Sequence, residues 1–299
     1  MPSAAIKALT LIDKNTTLNH RLKNRSDVKL WDNSVINFDI NLQRYPQAIP
    51  NLARIKDDPA FDPSIHLALE QPDNILTLSE LGYALEIDGT TPTPIAATSC
   101  FRILSDEWVA TLQHVCKQRE AFTSSNPRIE NCVWAGVYRS SFLRDFSLSP
   151  DVAEHLSILM QTPLFPHTMG HQLSHINYPP SVIGNNVDKW LYDTLGVDYV
   201  MFVIDPNKVQ GGEFEYVLGT RDEFADLSKS GEPVPLKRTV APDLPGAGYA
   251  ILMQGNYVVH RAKALLEKGD RITLVNGYTY GDLSAPDYTA LGQIVHAAP

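Results

Sequence analysis

The sequence predicts a mostly β protein with flanking α-helices, and three observations carry that expectation. From about residue 165 to residue 282, short β-prone runs are separated by Pro, Gly and Asn turns with no long helical pattern between them. Strands at that spacing form an antiparallel sandwich or barrel, not a doubly wound parallel sheet. Helical periodicity is confined to the first half, and the turns are too polar and regular to mark a domain boundary. A single domain over residues 1–299 is therefore expected. Residues 1–164 would form a mixed helical and strand support, 165–282 a double-stranded β-helix (jelly-roll) core, and 283–299 a C-terminal tail.

Residues 1–98 carry many turn signals, among them Asp57-Asp58-Pro59, Asp62-Pro63 and Asp88-Gly89, and read as a peripheral layer of short elements. Ser105 followed by Asp106 and Glu107, with Trp108, Leu112, Val115 and Phe122 near helical spacing, predicts an N-capped amphipathic helix with an acidic first turn. Ser149-Pro150 predicts a second helix with proline in its first turn and Val152, Leu156 and Leu159 on one face. The predicted core strands are His171–Tyr178, Tyr199–Ile204, Glu213–Leu218, Gly248–Gln254 and Arg271–Tyr280. Val200-Met201-Phe202-Val203-Ile204 is apolar throughout, as a strand buried on both faces should be.

Composition narrows the function classes. The chain has 299 residues, 43% hydrophobic and 20% charged, within the range of an ordinary globular protein. A net charge of −9 argues against a general nucleic-acid surface. The one basic cluster, His20 to Arg25, reads as a solvated turn. Cys100, Cys116 and Cys132 are far apart and odd in number, which predicts buried thiols and a reducing compartment. No signal peptide or membrane-spanning run is read, so a cytoplasmic location is expected.

The residues that carry chemistry lie between 189 and 281. Lys189-Trp190-Leu191-Tyr192-Asp193 is followed by Gly211-Gly212-Glu213-Phe214, by His260, 67 residues after Asp193, and by Arg271, 11 residues later. Arg271 and Thr273 are two apart on a predicted strand and face the same way, so a guanidinium and a hydroxyl would converge on a carboxylate. An oxygen-activating iron(II) site needs two imidazoles and a carboxylate on one face, with open positions opposite. In this order and spacing the chain resembles the iron(II)/2-oxoglutarate-dependent oxygenases over roughly residues 165–282. The resemblance implies Asp193 and His260 as ligands of Fe(II), and Arg271 with Thr273 as the anchor for the far carboxylate of the cosubstrate 2-oxoglutarate.

The family's His-x-Asp is broken here: the first histidine is replaced by Leu191, and no His-x-Asp or His-x-Glu occurs elsewhere. Leucine has no lone pair to give, so the third ligand position is vacant. Three accounts are open: a degenerate member that keeps the pocket, an enzyme with an altered coordination sphere, and an introduced, inactivating substitution. His171, His175, Asn177, Tyr192 and Glu213 are candidate pocket residues, although packing and hydrogen-bonding roles suit each of them. His20, His66, His114, His155 and His296 have no partner at ligand spacing and read as surface or structural.

What the resemblance implies is a hydroxylase-type oxygenase acting on a small organic molecule, with no nucleic-acid or membrane partner. Halogenation is disfavoured, because it usually requires loss of the carboxylate ligand and Asp193 is present. The competing expectations are an inactive jelly-roll binding or partner subunit that retains the 2-oxoglutarate pocket, and a cupin-like or sugar-binding sandwich. Substrate and oligomeric state are not legible.

Overall fold

The computed structural model describes residues 58–84, 91–126 and 128–290. The His20–Arg25 cluster, His296 and the Asp88-Gly89 turn lie outside the described residues. Among the described residues there are thirteen strands: β1 Ile75–Thr77, β2 Ile95–Thr98, β3 Phe101–Arg102, β4 Cys132–Val133, β5 Leu164–Pro166, β6 His175–Asn177 and β7 Asn186–Leu191. They continue with β8 Val197–Phe202, β9 Phe214–Val217, β10 Thr239–Val240, β11 Tyr249–Met253, β12 His260–Ala264 and β13 Thr273–Tyr280. Five helices accompany them: α1 Pro63–His66, α2 Asp106–Arg119, α3 Ser141–Ser147, α4 Pro150–Leu159 and α5 Arg221–Ser230.

The strands form two antiparallel sheets. The larger has the order β1-β2-β11-β8-β13-β6-β4, with β3 also on β11 and β5 also on β13; the smaller is β10-β9-β12-β7. From β6 to β13 the chain passes back and forth between the sheets, four strands in each, which is the double-stranded β-helix. Strand β8 shows why its sequence is apolar throughout. Val197, Tyr199, Met201 and Val203 point into the layer under the helices, where Leu112, Phe142, Phe146, Val152 and Leu156 pack. Phe202 points the other way, into the space between the sheets, with Phe214, Ile251 and Met253, and Val200 packs there too. The support half thus covers the outer face of the larger sheet, leaving its inner face for a site.

Several predicted elements shift. Arg271 lies just before β13, and the predicted strand over 171–178 becomes a 3₁₀ turn at Gly170–Gln172 followed by β6. His171 and His175 therefore do not share a strand face; both rings instead stack on Trp134, at 4.8 Å and 3.7 Å. Helix α2 starts where expected, but the Ser105 hydroxyl donates to the Ile65 carbonyl instead of capping, and Phe122 falls in the 3₁₀ turn beyond the helix. Strands β7 and β12, which carry the key residues, are not anticipated as strands. Nor is α5, although Thr220 and Glu223 form a capping box whose spacing is visible in the sequence. All three cysteines are free, Cys116 and Cys132 buried. Among the described residues no helix is long and apolar enough to cross a membrane.

Candidate functional site

A cleft with about 810 Å³ of empty space, part of it open to solvent, lies between the inner faces of the two sheets. Its floor is the β8–β13 pair, in which Thr273 lies opposite Phe202, Val275 opposite Val200, and Gly277 opposite Asp198. Its other wall is the smaller sheet, which contributes Asp188, Phe214, His260 and Ala262. Arg128, Trp134, His175 and Asn177 close it from the support side and from β6.

His260 opens β12 directly opposite Leu191 at the end of β7. The pairing is irregular at this point, with a register shift between His260 and Ala262. Asp193, just past β7, is held by its amide, which donates to the Gly255 carbonyl at 2.8 Å. Its Oδ2 lies 3.5 Å from His260 Nε2, and the other nitrogen of that ring, Nδ1, lies 3.0 Å from the Val258 carbonyl. Asp193 and His260 are thus brought together, whereas Leu191 is half-buried, offers no donor, and is not part of the cleft wall.

At the other end, Arg271 is buried; its Nε donates to the Gly212 carbonyl at 2.8 Å, while Nη1 has no partner. Burial lowers its pKa to about 10, against the opposing pull of Asp188 and Glu213, so it remains a cation at neutral pH. Gly212 has φ +73°, and a Cβ there would lie 2.9 Å from Arg271 Cδ and 3.0 Å from Nε. Glycine at 212 therefore lets the arginine lie against that backbone. Thr273 is buried on the cleft floor beside it.

Of the five candidate pocket residues, His175 and Asn177 line the cleft. Burial holds the His175 imidazole well below its usual range, so it is neutral, and the Asn177 Oδ1 has no partner. Tyr192 is 39% exposed and outside the cleft, and Glu213 turns to Lys263, 3.5 Å away. His171 stacks on Trp134 and is not among the residues lining the cleft, and Trp190 lies under the Arg261 guanidinium at 4.3 Å.

Three residues enter that sequence reasoning missed. Arg128, from the loop before β4, sits 3.3 Å from Asp188 and 3.6 Å from Asp193. Asp198 is fully buried with neither carboxylate oxygen partnered, and burial together with the charge of Asp193 pushes it well above the usual carboxylate range. Asp188 is raised to about 7, mainly by burial, with Arg128 opposing. The two aspartates stand five residues either side of Asp193, but nothing in that spacing announces inward-facing positions. Arg128 has no signal in the sequence at all.

The raised Asp188 gives a pH signature. The folded protein holds a proton there that the unfolded chain releases near its ordinary pKa of 3.8, so this contribution favours folding at low pH and is lost as pH rises towards about 7. Asp188→Asn should therefore gain thermal stability relative to the parent on going from roughly pH 5 to pH 8. Parallel melting curves at both pH values would show instead that Asp188 titrates as an ordinary carboxylate.

The donor set does not fit a three-ligand iron site. Asp193 and His260 supply two donors, the position facing His260 is leucine, and the Arg128 guanidinium already lies beside Asp193. Among the described residues no three His, Cys, Asp or Glu side chains gather so as to hold an ion. The far end does suit a carboxylate: a buried cation with an unpartnered donor, on a residue that lines the cleft.

No protein-family model and no curated protein matches the chain. Among solved structures it is similar to the non-haem α-ketoglutarate-dependent carbocyclase SnoK from nogalamycin biosynthesis, at 18% identity over 75% of this chain and 98% of that one, TM-score 0.47. It is also similar to EctD from S. alaskensis with 2-oxoglutarate and 5-hydroxyectoine (15%, 75% and 84%, TM-score 0.46). A third is HygX from Streptomyces hygroscopicus with nickel and 2-oxoglutarate bound (15%, 69% and 88%, TM-score 0.43).

Proposed function

We propose that this chain is a jelly-roll protein of the iron(II)/2-oxoglutarate oxygenase kind, with its oxo-acid pocket retained and its metal site depleted at Leu191. The observation that carries the reading is Arg271, a buried cation with an unpartnered Nη1, which lines the same cleft as Asp193 and His260, themselves within 3.5 Å of each other. Burying a guanidinium without a full set of partners is unfavourable unless a ligand completes it, and a carboxylate does so with two parallel bonds. In this reading Arg271 and Thr273 take the far carboxylate of 2-oxoglutarate. Asp193 and His260 face its other end, and the remaining cleft takes a small organic molecule. The hydroxylase-type form of the reading needs a third iron ligand that these residues do not supply. The second form, a binding subunit without turnover, needs none, and the Arg128–Asp193 pair favours it.

The test is calorimetry and thermal melting with 2-oxoglutarate, with and without Mn(II) or anaerobic Fe(II). A rise in Tm with 2-oxoglutarate is expected, larger with metal present, because a ligand that binds only the folded state stabilises it. Succinate formation would establish the catalytic form. If neither 2-oxoglutarate nor metal moves the melting temperature, the reading is wrong.

A further inference from the structure

The unpartnered buried atoms of the cleft describe a ligand of two opposite ends. At one end Arg271 offers a free donor, Nη1. At the other the needs are reversed: both oxygens of Asp198 are buried without a hydrogen-bond partner, and Asp188 Oδ1 has only the Arg128 ion pair at 3.3 Å. Asp198 is wholly inaccessible, and it sits close to Asp193: a Cβ on Gly255 would lie 2.2 Å from Asp198 Oδ2 and 3.1 Å from Asp193 Oδ2. Two carboxylates crowd over one glycine; Arg128, at 3.6 Å from Asp193, and the His260 ring, at 3.5 Å, are the basic side chains paired with Asp193 among the described residues. The ends are separated along β8 by the four residue steps from Asp198 to Phe202, opposite Thr273, or ~13 Å of backbone at the usual strand rise. Side chains reach inward from both.

Without a metal, a 2-oxo acid anchored on Arg271 would push its second carboxylate towards the Asp193 carboxylate, like charge against like. A molecule of the same outline that carries an ammonium there reverses the sign of that contact. We propose that the metal-free cleft binds an α-amino dicarboxylate, its distal carboxylate on Arg271 and its ammonium between Asp193 and Asp198. The proposal rests on the reading of Arg271 as a carboxylate anchor. The amino acid's α-carboxylate then meets Arg128, whose Nη2 takes part in neither of its ion pairs, with Asp188 and Asp193. Such a ligand supplies donors to the orphaned acceptors and an acceptor to the orphaned donor, satisfying groups that are otherwise costly to bury.

The test is isothermal titration of the full chain in EDTA with L-glutamate, 2-oxoglutarate and glutarate. L-Glutamate should bind at least tenfold more tightly than either of the others, and Asp198→Asn should weaken it at least tenfold. The variant should fold at least as well as the parent, since it removes an unpaired buried carboxylate, so its melting temperature separates a binding loss from a folding loss. Equal affinity for glutarate or 2-oxoglutarate in EDTA overturns the proposal, as does an Asp198→Asn variant that binds glutamate normally. Binding of 2-oxoglutarate with Mn(II), but no binding of glutamate in EDTA, overturns it while leaving the oxygenase-type reading intact. An Arg271→Ala variant with undiminished affinity for both ligands overturns both.

Discussion

Leu191→His is expected to raise the affinity for Mn(II) or anaerobic Fe(II) by more than a hundredfold and to start metal-dependent decarboxylation of 2-oxoglutarate. The new imidazole would pair with His260 across strands β7 and β12, next to the register irregularity between His260 and Ala262, two residues before Asp193. That completes two imidazoles and one carboxylate on one side of a site, the donor set suited to iron(II). Loss of a group that merely orients a ligand typically costs ~10–100-fold in metal affinity or activity, and gain of a ligand itself should exceed that range. Arg128 opposes the effect, because its guanidinium competes for the Asp193 carboxylate at 3.6 Å. The double variant with Arg128→Gln should therefore bind metal more tightly than Leu191→His alone. Metal titration by calorimetry and succinate analysis read both results. A Leu191→His protein that melts like the parent yet binds metal no better would remove the depleted-site account.

Arg271→Ala is expected to weaken 2-oxoglutarate by more than tenfold, with Mn(II) present or absent. The guanidinium is buried and kept charged at neutral pH, and its orientation is set by the Gly212 carbonyl, so the unpartnered Nη1 is presented ready-made. Removing one partner of a buried charge pair costs ~2–5 kcal/mol, well beyond a tenfold change. Arg271→Lys keeps the charge but loses the planar fork, and should fall between the parent and alanine. The melting temperature of unliganded Arg271→Ala should drop little, since the parent carries the desolvation cost of the arginine without full compensation. Unchanged affinity in calorimetry would mean that the carboxylate anchor lies elsewhere.

The legible part of the site is the part written in local spacing. Asp193, His260 and Arg271 were singled out from order and separation, and the folded chain gathers them around one cleft. Gly211-Gly212 belongs to the same run of spacing, and in the fold Gly212 lies against the Arg271 side chain. Local patterns also misled. His171 and His175 read as neighbours on a strand, but their common contact is Trp134, from a turn forty residues earlier. Strands β7 and β12 escaped notice because Lys189, Arg261 and Lys263 interrupt their apolar pattern at outward or rim positions.

By itself, then, the sequence determined the class of architecture and the absence of a histidine at position 191, because alternation, turn residues and residue identity are local properties. Only the tertiary structure decided what surrounds the remaining two donors. Arg128 arrives from the support half, and Asp188 and Asp198 from strands of opposite sheets, to make an end of the cleft rich in unpaired carboxylate oxygens. Charges separated by tens of residues interact only once the two sheets have closed on each other and excluded water. That closure turns a missing histidine into a site with its own electrostatic demands.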